Sequence, residues 1–258
     1  LATIKKNGGE IAGIATPKGV FPIAALNAAK GTGWSTDMMS LIQAGEIPGL
    51  TAWYNAGGKA ELDNLPGLVP QEEVVYAPLY RDPKRIFGIG LNYVDHAGDI
   101  GSAAPTGFPG SFFKMADTLV GPGDEIKLPK LKEAQKTTAE AELGVVKNFP
   151  TFFSFGPELV TPDEVPDVLK LEVQSVHNGE IYAKNVVANM THRPARLVSL
   201  HSGIQGWYAG DILSTGTPRA FHIQDGDMAE CRIVGPDGFE MRPLLNPVVD
   251  LKKHPEKE

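Results

Sequence analysis

Short apolar runs separated by turns rich in glycine and proline make up most of the chain, a pattern typical of short β-strands. Asn178-Gly179 lies between two of these runs and is a strong β-hairpin signal. Apolar residues at near-helical spacing predict a helix over 194–203, and a second helix is predicted to open near residue 36, with Ser35 or Thr36 as its cap. The predicted strands are 11–15, 19–23, 85–90, 111–115, 125–128, 140–146, 171–177, 180–183, 212–214, 228–233 and 247–251. We therefore expect a mostly β fold with a few helices.

The pattern also predicts two parts that meet near residue 80. Residues 1–80 are expected to form a small N-terminal α+β domain and linker, because prolines concentrated towards its end favour an extended connector. Residues 81–258 are expected to form the main domain. Within it, residues 98–110 are rich in Gly, Ser, Ala and Pro and have few apolar anchors, so we expect a mobile loop or lid there.

Composition narrows the class of protein. A hydrophobic content of 42% and a charged content of 21% are ordinary for a globular protein. The formal net charge of −7 argues against a nucleic-acid partner, since phosphate binding needs a basic surface. No apolar run approaches the roughly 20 residues that a membrane span requires, so no membrane partner is expected. The single cysteine, Cys231, excludes an internal disulfide and a cysteine-built zinc site, and a reduced, cytoplasmic location is the simplest expectation.

Two carboxylates stand out as candidate metal ligands. Glu140 and Glu142 share one face if their segment is a strand, about 7 Å apart along it. Like charges so close repel unless a cation or water separates them, and an all-oxygen pair suits Mg²⁺ or Mn²⁺. The alternative is two glutamates on a solvated strand face, which the spacing alone favours.

The other candidates are weaker when taken singly. His96 and Asp99 would meet on a helical turn, as a general base and its orienting carboxylate; the alternative is a surface histidine in a polar loop. Gly216, beside Thr217, would let backbone N–H groups approach an anion, or would simply end a strand. Lys147 precedes four phenylalanines that we expect in the core, and a lysine in such a partly dry setting could bind a carboxylate or stabilise an oxyanion.

In order along the chain, these pieces together resemble the fumarylacetoacetate hydrolase family. The resemblance spans about residues 86–250. No single motif in it is specific to the family, but the motifs taken together, in this order, are. The matching motifs are GLNYVDH at 90–96, FK at 113–114, GPGDEIKLP at 121–129, AEAEL at 139–143, KNFPTF at 147–152, GP at 156–157 and GDILSTGTP at 210–218. The first 80 residues resemble the variable N-terminal part of such proteins and add little.

The resemblance implies a rolled mixed β-sheet with a metal at its mouth, in a homodimer. It implies Glu140 and Glu142 as ligands of Mg²⁺ (or Mn²⁺), and His96 with Asp99 as the catalytic pair of a flexible lid. Most relatives carry glutamate where this chain has Asp99, so its reach to His96 must come from backbone placement. The resemblance further implies Lys147 as a catalytic lysine beside the substrate, with Tyr93, Gly216 and Thr217 in substrate binding.

One departure from the family pattern concerns the metal. Relatives carry a third acidic ligand, with a neighbouring arginine, on a segment of a few dozen residues that would fall between Val146 and Lys147, and this sequence has none. Either the chain has lost that segment and offers two carboxylates, or the sequence joins two stretches across a missing one. An intact mass several kDa above 27.6 kDa would show the second.

The expected function is Mg²⁺-dependent hydrolysis of a C–C bond in a small 2,4-dioxo carboxylic acid of the acylpyruvate type, in the breakdown of aromatic compounds. Three reactions on the same scaffold stay open: isomerisation, decarboxylation of oxaloacetate and hydration of a 2-oxo acid. A further alternative is an inactive binding homologue that has lost the third ligand.

Overall fold

The structure is a computed structural model that describes residues 1–99, 101–131, 137–139, 148–165 and 167–258. The chain divides into two compact units. One comprises Leu1–Asp82 and Gly156–Val165, and the other comprises Pro83–Phe155 and Pro166–Glu258. The sequence pattern did not predict that residues 156–165 belong to the first unit, because no local feature of that short stretch indicates its long-range partners.

A four-stranded antiparallel sheet forms the first unit, with its strands in sequence order. The strands are β1 (Ala2–Lys6), β2 (Gly9–Thr16), β3 (Gly19–Pro22) and β4 (Val69–Pro70). The helices are α1 (Ile23–Lys30), α2 (Met38–Gln43), α3 (Ile47–Trp53) and α4 (Lys59–Leu62). The two strands predicted at 11–15 and 19–23 are confirmed as the β2–β3 hairpin.

The predicted cap of the second helix was wrong. Asp37 caps α2, and its carboxylate accepts a hydrogen bond from the Ser40 backbone N–H at 2.8 Å. Residues 35 and 36 are held in other bonds: the Ser35 N–H donates to Glu46, and the Thr36 carbonyl accepts from Ala12. Aspartate is as good an N-cap as serine or threonine, and Asp37 takes that position. The helix therefore begins one or two residues later than predicted.

Strands outweigh helices in the second unit, which confirms the expected mostly β fold with few helices. Its helices are α5 (Val94–Asp99) and α6 (Pro194–Ser202). Its strands are β5 (Ile86–Gly90), β6 (Gly110–Lys114), β7 (Leu119–Val120), β8 (Ile126–Leu128), β9 (Thr138–Ala139), β10 (Phe153–Ser154), β11 (Glu172–His177), β12 (Glu180–Val186), β13 (Ile212–Ser214), β14 (Phe221–His222), β15 (Met228–Val234) and β16 (Leu244–Asp250). The strand predicted at 140–146 lies outside the described residues.

Two sheets organise this unit. The larger has the order β12-β11-β15-β16-β8 and is mixed, since β16 and β8 run parallel while the other pairs are antiparallel. The smaller has the order β13-β5-β6, with β13 parallel and β6 antiparallel to β5. Two-residue strands pair as β10-β7 and β14-β9.

Local predictions in this unit are confirmed where turn chemistry or periodicity was strong. Asn178 and Gly179 form the β11–β12 turn with φ of 52° and 86°, the positive values that favour this residue pair in a two-residue turn. The helix predicted over 194–203 is α6. Its Leu197 is fully buried and packs against Phe87 and Ile89 of β5, the strand that leads into the candidate site.

Candidate functional site

The site is built where two parallel strands end side by side. In β5 and β13, Ile86 pairs with Ile212 and Gly88 with Ser214, so the carboxyl ends of both strands lie at one sheet edge. After β5 the chain turns through Leu91 at a φ of 56° and enters α5. After β13 it continues into 215–217. Side chains from these two connections therefore lie close together.

Asn92 ties three loops together at this edge. Its side chain is 1% exposed, and its Nδ2 donates to the Thr215 carbonyl at 2.6 Å and to the His192 carbonyl at 2.9 Å. Its Oδ1 accepts from the His192 N–H at 2.8 Å, and its own carbonyl accepts from the Thr191 N–H. Buried backbone groups in all three loops are satisfied by this one residue, which sequence analysis quoted in a motif but gave no role.

Gly216 and Thr217 lie against Asn92. Gly216 has a φ of 125°, and a Cβ added to it would come within 2.8 Å of the Asn92 Cβ, so only glycine fits there. Thr217 is 1% exposed, and its hydroxyl lies 3.3 Å from the Ser175 hydroxyl. Both hydroxyls lie 3.2 Å from the Arg219 carbonyl, to which they donate. The structure thus brings Gly216 and Thr217 together in a compact, hydrogen-bonded turn.

Helix α5 carries the predicted histidine–acid pair. His96 is 7% exposed, and its Nδ1 lies 4.0 Å from the Asp99 Oδ2, one helical turn along. The spacing i, i+3 therefore brings the two side chains together, beyond direct hydrogen-bond distance. Tyr93, immediately before the helix, is fully buried.

Arg219 pairs with Asp99 and was missed by sequence analysis. Its Nε donates to the two Asp99 oxygens at 2.9 and 3.0 Å, and its Nη2 donates to Oδ1. These hydrogen bonds, and then the negative charge of Asp99, raise the pKa of the Arg219 guanidinium. No local signal in the sequence could have shown this pair, because the two residues are 120 positions apart.

The predicted metal ligands Glu140 and Glu142, and the predicted catalytic Lys147, lie outside the described residues. Among the residues that the structure does describe, no group of three or more His, Cys, Asp or Glu could hold a metal ion. The donor chemistry of Glu140 and Glu142 nevertheless fits a hard divalent cation, since both supply carboxylate oxygens. In the same described ranges, no helix has the length and apolarity to cross a membrane.

Sequence relatives include several enzymes. A human mitochondrial oxaloacetate tautomerase is 27% identical over 82% of this chain and 79% of its own length. A putative hydrolase of Burkholderia lata is 31% identical, but that match covers 52% of this chain and 61% of the relative.

Solved structures show the same fold. The crystal structure of maleylpyruvate hydrolase from Sphingobium sp. SYK-6, in complex with manganese(II) and pyruvate, superposes with a TM-score of 0.72 at 23% identity, covering 97% of this chain and 99% of that one. A 5-carboxymethyl-2-hydroxymuconate delta-isomerase from Mycobacterium smegmatis has a TM-score of 0.57 at 24% identity, covering 70% and 84%.

A family model accounts for most of the second unit. The model of the fumarylacetoacetate (FAA) hydrolase C-terminal domain matches residues 85–146 and 146–248, two stretches that meet where the family's extra segment would fall. The matched residues include β5, α5 and the turn after β13, whose side chains make up the site. Sequence match, fold and the ordered motifs agree, and the chain belongs to the fumarylacetoacetate hydrolase family.

Proposed function

We propose that the protein is a divalent-metal-dependent enzyme that hydrolyses a C–C bond in a small 2,4-dioxo carboxylic acid of the acylpyruvate type. The observation that carries the proposal is the position of His96: a buried imidazole, one helical turn from a carboxylate, on the helix that begins where β5 and β13 end. The manganese- and pyruvate-bound maleylpyruvate hydrolase, which has this fold, supports the substrate class. A cytoplasmic homodimer acting in aromatic breakdown is part of the proposal and rests on the resemblance and the single cysteine.

The metal would be held by Glu140 and Glu142, as Mg²⁺ or Mn²⁺. When bound, the ion would supply positive charge beside the substrate's carboxylate and 2-oxo oxygens. Thr217 and the backbone N–H groups around Gly216 would hold the substrate carboxylate. The Thr217 hydroxyl donates to the Arg219 carbonyl in this structure, so it would have to turn towards the substrate to do so. The stretch after α5 would close over the substrate and exclude water.

Proton transfer falls to His96. Its Nδ1 edge faces Asp99, so Nε2 would take the proton of the water that attacks the distal carbonyl. Lys147 would stabilise the oxyanion that this attack creates. The C–C bond then breaks, the carbon that leaves takes up a proton, and two carboxylic acids result.

His96→Ala tests the role of the base. We expect kcat to fall by about 10²–10⁴-fold, the usual contribution of a general base, while Mn²⁺ affinity is retained. Turnover is followed by product mass, and Mn²⁺ binding by electron paramagnetic resonance of the free ion. His254→Ala, at a histidine in the C-terminal tail, is the control and should change neither. Unchanged turnover in His96→Ala, or lost Mn²⁺ binding, would contradict the assignment.

Oxaloacetate tautomerisation is a second candidate, favoured by the human relative that covers most of this chain. Moving a proton between carbon and oxygen of a 2-oxo acid needs a base such as His96 but no water attack and no bond cleavage. The isomerase, decarboxylase and hydratase alternatives share the need to stabilise an enolate of the 2-oxo acid, and they differ in where the proton or water goes. Product mass separates them: two acids for hydrolysis, CO₂ for decarboxylation, added or lost water for hydration, and an unchanged mass for isomerisation or tautomerisation.

A further inference from the structure

The Asp99 carboxylate has two cationic or potentially cationic neighbours, His96 and Arg219. His96 Nδ1 is 4.0 Å from its Oδ2, and the Arg219 guanidinium donates hydrogen bonds to both oxygens. A carboxylate held by a guanidinium in this two-pronged geometry is oriented as well as partly neutralised, since the fork of N–H groups matches the plane of the two oxygens.

The backbone of Arg219 is held by hydrogen bonds, and its guanidinium lies near an aromatic ring. The Arg219 carbonyl accepts hydrogen bonds from the hydroxyls of Ser175 and Thr217 at 3.2 Å each. Its guanidinium carbon lies 5.9 Å from the centre of the Tyr182 ring on β12. Anchored at the backbone and bordered by an aromatic ring, this arginine loses less freedom in pairing than an ordinary surface residue does, and ordinary surface pairs contribute little for that reason.

We propose that Arg219 is a positioning residue for the His96–Asp99 pair: it orients the Asp99 carboxylate and offsets part of the negative charge that the carboxylate presents to His96. This inference rests on the proposed function of His96 as a base. It also gives the shorter aspartate a second partner, since Arg219 holds both oxygens of its carboxylate.

Two further titratable groups act on the Arg219 charge. Asp95, on the same helix, also acts on the Arg219 charge, and its carboxylate accepts a hydrogen bond from Asn185 on β12 at 3.4 Å. Tyr182 acts on Arg219 from the same strand. Removing Arg219 takes away the guanidinium that hydrogen-bonds both Asp99 oxygens.

The test is the titration of His96 by NMR on the full chain, with its ring signal assigned by loss in His96→Gln. In Arg219→Ala the Asp99 charge acts on His96 alone, so we expect the titration midpoint to move to higher pH by about 0.5 units or more. Arg219→Lys keeps the charge without the fork and should give a smaller shift. Arg81→Ala is the matched control, because Arg81 grips Glu10 in the same two-pronged way and is 49% exposed against 46% for Arg219.

A double substitution shows whether the effect passes through Asp99. In an Asp99→Asn background, Arg219→Ala should leave the His96 midpoint nearly unchanged. An unmoved midpoint in Arg219→Ala alone, or an equal shift with and without the Asp99 carboxylate, would overturn the proposal. The titration needs no substrate, so a shifted midpoint in a chain that turns over no dioxo acid would refute the proposed function and leave the coupling standing. Turnover of a dioxo acid by the parent chain, together with an unmoved His96 midpoint in Arg219→Ala, would support the proposed function and refute the coupling.

Discussion

At the scale of single residues, the site depends on how closely two loops approach. Asn92 satisfies backbone groups of both neighbouring loops, and Gly216 leaves room for it. The sequence could mark Gly216 as a candidate because a glycine between two threonines at a strand end is visible locally. It could not mark Arg219, whose role appears only when β13 is laid beside β5 and its following turn reaches α5.

Gly216→Ala tests that close approach. An alanine backbone would be strained at a φ of 125°, and its Cβ would meet the Asn92 Cβ at 2.8 Å. Strain of this kind costs about 1–3 kcal/mol, and the contact adds to it, so we expect the free energy of unfolding to fall by at least about 1 kcal/mol. Urea unfolding measures it. The control is Gly226→Ala, which also has a positive φ, of 86°, but would find no atom within 4 Å. Equal losses in the two variants would show that backbone strain alone, and not the contact with Asn92, explains the effect.

At the scale of elements, prediction succeeded where the signal was short-ranged. The β11–β12 hairpin followed from Asn178-Gly179, and α6 followed from its apolar spacing. The cap of α2 was missed because residues 35 and 36 are engaged by distant partners. The order of strands in the larger sheet could not be predicted from local patterns either, since β16 pairs with β8 across more than a hundred residues.

The β11–β12 hairpin has its own electrostatic anchor. Asp227 accepts hydrogen bonds from the Asn178 side chain at 3.0 Å and from the Gln224 N–H at 2.9 Å, and its Oδ2 lies 3.0 Å from the His177 Nε2. Burial opposes the charged form, but the hydrogen bonds from Asn178, His177 and Gln224 prevail and hold the pKa of Asp227 below its ordinary value. The charged carboxylate therefore stabilises the folded state.

Asp227→Asn tests that anchor through its pH dependence. A carboxyl with a lowered folded-state pKa contributes stability that is fully present above the unfolded pKa, about 3.9, and is lost as the pH falls through the folded value. We expect the variant to be less stable than the parent at pH 6 and the gap to narrow steadily towards pH 3, by urea unfolding. Asp117→Asn, at an exposed aspartate, should show no such narrowing. A gap that stays constant with pH would contradict the account.

At the scale of the whole molecule, the family assignment explains the second unit better than the first. The family model ends at residue 248 and begins at residue 85, so it covers β5, α5 and the turn after β13 but not the four-stranded sheet of the first unit. Sequence motifs predicted the family because their order along the chain is specific. They could not predict the reaction, because hydrolysis, isomerisation and decarboxylation of a 2-oxo acid all pass through an enolate and differ only in where the proton or water goes.

The most direct test is turnover of acetylpyruvate, fumarylpyruvate, oxaloacetate and a hydroxymuconate analogue, with Mg²⁺ or Mn²⁺ and with EDTA, products identified by mass. The account predicts cleavage of an acylpyruvate into two acids, abolished by EDTA and restored by the metal. Metal-dependent turnover that yields CO₂ or a product of unchanged mass would contradict the hydrolase and favour the decarboxylase, or the isomerase or tautomerase. No turnover at all, by a chain whose intact mass matches 27.6 kDa, would contradict catalysis and indicate an inactive homologue.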